Sequence, residues 1–294
     1  MPLTETRMGN KLISWILFTA LTFIWGSSFL LMKLGMETLT PYQVASLRIL
    51  SAGIVLMPFA ARSFKLIPKE KRGAVILSGL LGSFFPAYLF CLAETKIDSA
   101  FTGMLNSLTP LFTVVIGVAF YKFKVTLKKV AGVLIGLVGF IVLILVDGKP
   151  DLTHFAYITL VIAATVCYAI NVNMVSKYLK EIGSLNIATI AFVFLIIPCI
   201  AILAVTGYFK LAFNDMHIIK STIASCILGI MGTAIASILF YRLVKRAGAL
   251  FAAMVTYGIP VVAVLWGIVY GEHITWMHIG GLAIILSGVY VANK

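Results

Sequence analysis

One charge stands well inside an apolar run of this sequence: Arg48, seven residues after Pro41. A guanidinium at membrane depth is costly, and such groups face a protein interior or an aqueous cavity. Two roles fit its five donors. It is a fixed cation for a substrate carboxylate or phosphate, or a structural donor to helix-end carbonyls near an outer gate. Lys33, close to the end of the first apolar run, reads as a side chain that snorkels to the interface.

The other groups at that depth are polar or aromatic, and an asparagine amide in hydrocarbon needs a partner on another helix or on a ligand. They fall in the first, third, fourth, sixth and ninth apolar runs, which are therefore expected to line a cavity. The fifth and tenth runs carry almost none and should lie at the periphery. The candidate substrate contacts are Trp25, Ser28, Arg48, Tyr88, Asn106, Tyr168, Asn171, Thr256 and Tyr257, with Ser27, Thr109 and Asn173 as further polar positions. Pro110 and Pro260 sit mid-run, where proline frees a carbonyl and kinks a helix. They are candidate hinges or gates, and simple packing kinks are the alternative.

All ten acidic residues and all four histidines lie in connections or at the ends of apolar runs. No buried carboxylate is available as the usual proton or sodium handle of a pump. There is no His-Glu-x-x-His, no pair of buried aspartates and no histidine at depth to activate a serine. No catalytic residue, metal site or cofactor is read, and the chain is not expected to be an enzyme.

These residues need a frame, and composition says which kind. Of 294 residues, 61% are hydrophobic and 11% charged, against about a quarter charged in soluble domains. Lipid must be the solvent for most of the chain. A net charge of +13 would suggest nucleic acid in a soluble protein. Here the basic residues lie between apolar runs and read as topology signals and contacts to anionic headgroups. The expected partners are membrane lipids and a small-molecule substrate, not nucleic acid. Cys91, Cys167, Cys199 and Cys226 all fall in apolar runs without metal-ligand spacing.

A helix crossing ~30 Å of hydrocarbon needs about 20 apolar residues. Ten runs qualify: 12–34, 41–61, 73–93, 99–121, 129–146, 154–176, 185–206, 218–241, 249–270 and 276–292. The first is too long for a signal peptide and reads as a span. Seventeen of the 23 Lys and Arg fall on one side, from Arg7 to Lys294, while Lys96, Lys149, Lys210 and Lys220 fall on the other. Both termini are therefore expected in the cytoplasm, in a cell membrane.

A shift of 150 residues superposes Gly79 and Gly82 on Gly229 and Gly232, Leu89-Phe90 on Leu239-Phe240, and Lys96 on Arg246. It also puts Phe101 on Phe251, Met104 on Met254 and Pro110 on Pro260. One residue of adjustment brings Thr126, Leu134 and Gly139 onto Thr275, Ala283 and Gly288. The first spans match less well, with Trp25 near Tyr168 and Lys33 near Lys177. Residues 1–150 and 151–294 thus read as duplicated halves of five spans each, an odd number that inverts one against the other. The spacing Gly132-x-x-x-Gly136 then Gly139, with Gly281 and Gly288, permits close helix contact within a monomer or between monomers.

Trp25-Gly26-Ser27-Ser28-Phe29 with Lys33, followed by Pro41 and Arg48, resembles the first-half signature of the EamA-type family of the drug/metabolite transporter superfamily. Pro260, Gly271-Glu272, Thr275, Gly281 and Gly288 resemble its second-half signature. One departure is that Tyr121-Lys122-Phe123 stands opposite Gly271-Glu272-His273, so the family's acidic residue occurs once. The resemblance implies an all-α fold of ten helices in two inverted five-helix repeats around a central cavity, with both termini inside. It also implies export or exchange of small metabolites, often amino acids or related compounds, by a secondary transporter. A passive, channel-like facilitator is the alternative within transport. A membrane-embedded transferase is the alternative outside it, and the basic cytoplasmic loops do not favour one.

Overall fold

The computed structural model describes residues 2–122, 127–146, 152–271 and 274–293. Lys124, Asp147, Lys149, Asp151, Glu272 and His273 lie outside the described residues. Among the described residues the fold is all-helical, without a strand.

The helices run α1 (Pro2–Gly35), α2 (Pro41–Leu56), α3 (Ala60–Leu66), α4 (Lys69–Gly79), α5 (Phe85–Ala93), α6 (Ser99–Asn106) and α7 (Thr109–Tyr121). They continue with α8 (Leu127–Val146), α9 (Leu152–Tyr178), α10 (Ser184–Val205), α11 (Met216–Gly229), α12 (Ala236–Ala253), α13 (Val255–Val269) and α14 (Trp276–Asn293). Several join end to end. A π-helical turn at Leu80–Phe84 links α4 to α5, and another at Ile230–Ile235 links α11 to α12.

Seven runs are long and apolar enough to cross a membrane: Lys11–Gly35, Pro41–Leu66, Lys69–Ala93, Ser99–Tyr121, Phe155–Tyr178, Ser184–Val205 and Met216–Ala253. At the fifth, ninth and tenth expected spans stand α8, α13 and α14. Large apolar side chains turn outward, with Ile197 78% and Val205 88% exposed. A surface of that kind suits hydrocarbon rather than water.

Local chemistry fixes where α2 starts, and hence where Arg48 sits. Thr40 accepts from the Gln43 backbone N–H at 3.3 Å, and the Gln43 side chain accepts from the Thr40 N–H at 2.9 Å. This reciprocal cap with Pro41 in the first turn satisfies the orphan donors. The Gln43 amide also donates to the Thr206 carbonyl at 3.0 Å, tying α2 to the end of α10. Arg48 lies two turns further on, about 10 Å along the axis.

In lipid no hydrophobic force drives helices together, so contacts between small residues carry the packing. α8 and α14 pack along each other. A Cβ on Gly139 would meet the Ile285 backbone nitrogen at 2.7 Å, and one on Gly288 would meet the Gly132 carbonyl oxygen at 2.6 Å. The glycine spacing read from the sequence is therefore used within the chain. These two helices contribute nothing to the central cavity described below.

Gly248 interrupts α12 at φ 87°, ψ 166°, between the eighth and ninth runs expected from the sequence. That conformation is essentially confined to glycine. Gly248→Ala is expected to cost about 1–3 kcal/mol and to lower the thermal midpoint in detergent. An unchanged midpoint would contradict this backbone geometry.

Candidate functional site

Seven of the nine candidate contacts meet in one central cavity with about 820 Å3 of empty space, counting the space at its opening. Trp25, Ser28, Arg48, Asn106, Tyr168, Asn171 and Thr256 all line it. Tyr88 and Tyr257 do not line it. The Tyr88 hydroxyl pairs with Ser46 at 2.7 Å beside Cys199, and its ring lies against Phe84. Tyr257 packs with Leu108 and Leu111, its hydroxyl buried without a partner.

The lining also differs from expectation in its helices. α2 contributes Arg48, and the segment from Gly232 to Tyr241 contributes Thr233, Ser237 and Phe240 as well. Periodicity alone missed this eighth run because its polar groups are small. The matched pairs Gly82/Gly232 and Phe90/Phe240 carried the signal, since all four line the cavity.

Arg48 is 9% exposed, and its hydrogen-bond partners among the described residues are neutral. Its Nε donates to Thr233 Oγ1 at 2.7 Å, and a terminal nitrogen approaches Met32 Sδ at 3.7 Å. The helix-end carbonyls expected under the structural reading are not among them. Thr233 stands on the π-helical turn, where one residue is added to the helix and the backbone pairing is displaced. The Trp25 indole N–H donates to the Gly232 carbonyl at 3.0 Å on the same turn. The irregular turn thus orients both a cation and an aromatic plane.

Contacts recur at matched positions. The Trp25 ring meets Phe240 with centroids 5.1 Å apart, and Tyr168 stacks on Phe90 at 5.9 Å. A Cβ on Gly232 would meet Ser28 Oγ at 2.6 Å, and one on Gly82 would meet the Asn171 side-chain amide. A Cβ on Gly229 would meet the Arg48 carbonyl oxygen, and one on Gly79 would meet the Ala191 carbonyl oxygen at 2.9 Å. Each contact maps on its counterpart when the first two runs are shifted by 143 residues and the next two by 150. Arg48 itself then falls on Ala191, so the cation occurs once.

Asn171 accepts from Ser78 Oγ at 2.8 Å, and Ser78 pairs with the Tyr241 hydroxyl at 3.1 Å. Thr109 Oγ1 donates to the Asn106 carbonyl at 2.8 Å, which the missing N–H of Pro110 leaves free of its usual helix donor. Three residues before each proline the helix tightens. Ser107 N–H donates to Met104 O at 3.1 Å, and Tyr257 N–H to Met254 O at 3.0 Å. Pro110 thus stands in the first turn of α7, and Pro260 inside α13. Asn173 serves packing: its amide donates to Thr113 O at 3.0 Å and Ala169 O at 2.9 Å. Lys33 borders a smaller crevice with Trp266 and Tyr270.

Comparison with known proteins agrees with this arrangement. An "Uncharacterized transporter" of Archaeoglobus fulgidus is 26% identical, covering 95% of this chain and 98% of its own. A "Probable amino-acid metabolite efflux pump" of Salmonella typhimurium is 25% identical over 91% of this chain and 90% of its own. A solved crystal structure, 19% identical, superposes with a TM-score of 0.65 over 97% of each chain, which shows a shared fold. The EamA-like transporter family matches twice, over residues 12–145 and again over 155–294. With helices long and apolar enough to span a bilayer and a family match across nearly its whole length, the chain is a multi-pass membrane protein of the EamA-like transporter family.

Proposed function

We propose that the protein is a secondary transporter that carries small metabolites through the Arg48 cavity by alternating access. The observation that carries this reading is a buried guanidinium on the wall of the central cavity, with only neutral hydrogen-bond partners among the described residues. Burying a charge is costly unless it is paired. An anionic group on the cargo supplies the pair.

We infer further that ten spans form two inverted repeats, residues 1–150 and 151–294, with both termini in the cytoplasm of a cell. The matched contacts of Trp25/Phe240 with Tyr168/Phe90 support this, as do the family's two matches and the bias of basic residues. Pro110 and Pro260, each after a tightened turn, serve as paired hinges. Trp25, Ser28, Asn106, Tyr168, Asn171 and Thr256 surround the cargo, whereas Tyr88 and Tyr257 act from behind the wall. The Salmonella relative's name favours export of compounds related to amino acids.

The absence of an acid from the lining favours facilitated movement as the second reading. Purified protein in liposomes loaded with labelled metabolites, under varied pH gradients, separates the two. Protein-dependent flux that ignores the gradient would remove proton coupling, and no flux with a broad panel would sink transport itself. Alternating access has its own test. Cys91 and Cys199 are buried, and Cys167 and Cys226 are half-buried and replaceable by serine. In that background Ser83→Cys, in the cavity wall, is expected to react with an impermeant thiol reagent from either face and to be protected by cargo. Simultaneous access from both faces in the same state would indicate a channel.

A further inference from the structure

Resting on the reading of the Arg48 cavity as the cargo site, we infer that the preferred cargo is an aromatic monocarboxylate with no free ammonium group. Deaminated or N-acylated relatives of aromatic amino acids are of this class.

Three features of the wall carry the inference. First, Arg48 is the one charged residue among the described residues that line the cavity, and none of them is acidic. A free ammonium entering there loses its water without gaining a carboxylate. Ring faces return only part of that loss. Second, the position matched to Arg48 is Ala191, packed against Gly79. The cavity therefore offers one cation to one carboxylate, and a second negative charge on the cargo would stay unpaired. Its Nε is already committed to Thr233, while the guanidinium keeps further donors for the carboxylate.

Third, the large apolar side chains of the wall are mostly rings. Trp25 against Phe240 at 59° and Tyr168 on Phe90 at 25° form two aromatic walls, and Phe29 meets Phe90 edge-on at 79°. A planar apolar body fits between faces and edges of this kind at ring spacings of about 4.5–7 Å. In the wall itself Asn171 and Tyr241, both hydrogen-bonded to Ser78 behind them, offer neutral groups to an amide or hydroxyl without ionic help.

The test uses full-length protein in liposomes at pH 7.5, with protein-free liposomes as the baseline. Labelled phenylpyruvate and N-acetylphenylalanine are the monoanions, phenylalanine the zwitterion, phenylethylamine the cation and benzylmalonate the dianion. Protein-dependent flux of both monoanions is expected to exceed that of the other three at least about tenfold, or ~1.4 kcal/mol. Phenylalanine carried as fast as phenylpyruvate would overturn the cargo class and leave the transport reading standing. So would flux confined to the amine or the dianion. Flux of other metabolites with none of these five would overturn it as well. Silence across the whole panel, by contrast, sinks the transport reading together with this one.

Discussion

Arg48→Gln is expected to lower protein-dependent flux about 10- to 100-fold while the protein stays folded. A hydrogen bond to a charged group contributes about 1.5–3 kcal/mol, and a guanidinium–carboxylate pair adds a matched planar geometry. Glutamine keeps a donor for Thr233, now 2.7 Å from Arg48 Nε, but loses the charge. Arg48→Lys keeps the charge without the fork and should fall between the two. Stability separates this role from a structural one. Removing a buried cation that has only neutral partners should leave the thermal midpoint in detergent unchanged or raise it. A lowered midpoint with normal flux per folded molecule would make Arg48 a structural donor.

Gly229→Leu should be the most damaging apolar substitution in the protein. The first carbon of any side chain there falls on the Arg48 carbonyl and the Ser51 hydroxyl. A carbonyl inside α2 cannot give way without moving the helix. Overpacking of a well-filled interior costs about 1–3 kcal/mol and occasionally more. Because the obstacle is backbone, the upper end is expected, with loss of folded protein after detergent extraction. Gly73, which has open space around it in α4, is the control. Gly73→Ala should be neutral or stabilise by up to about 1 kcal/mol through helix propensity. Equal midpoints for the Gly229 and Gly73 variants would show that α2 and α11 are not in the close contact described.

Much of the frame was legible because lipid imposes a coarse grammar: long apolar runs, basic punctuation and repeated glycines. The Gly82/Gly232 and Pro110/Pro260 matches pointed at positions that prove to be cavity wall or helix tightening. Arg48, Trp25, Ser28, Asn106, Tyr168, Asn171 and Thr256 were found by one rule, polarity at depth. The same rule also picked Tyr88 and Tyr257, which lie off the cavity, since a hydroxyl at depth is equally satisfied by Ser46 or tolerated beside Leu111. It also passed over Thr233 and Ser237. Short hydroxyl side chains bond their own helix and leave no mark on composition. The ring walls of Phe90 and Phe240 were invisible for a simpler reason: phenylalanine facing lipid and phenylalanine facing a cavity are the same letter.

The two π-helical turns have a consequence for angle. Gly79 and Phe90 are eleven residues apart, as are Gly229 and Phe240. In an unbroken α-helix eleven residues complete almost three whole turns, so each pair would share a face to within about 20°. Here Gly79 meets α10 and Gly229 meets α2, while both phenylalanines face the cavity. The added residue in each turn acts as a phase shift of about 100°, dividing one rod into a half keyed to its neighbour and a half keyed to the cavity. Deleting a single residue from Leu80–Phe84 would leave the pair ten residues apart, about 80° short of three full turns in a regular helix, so the two halves would keep their present division without the irregular turn.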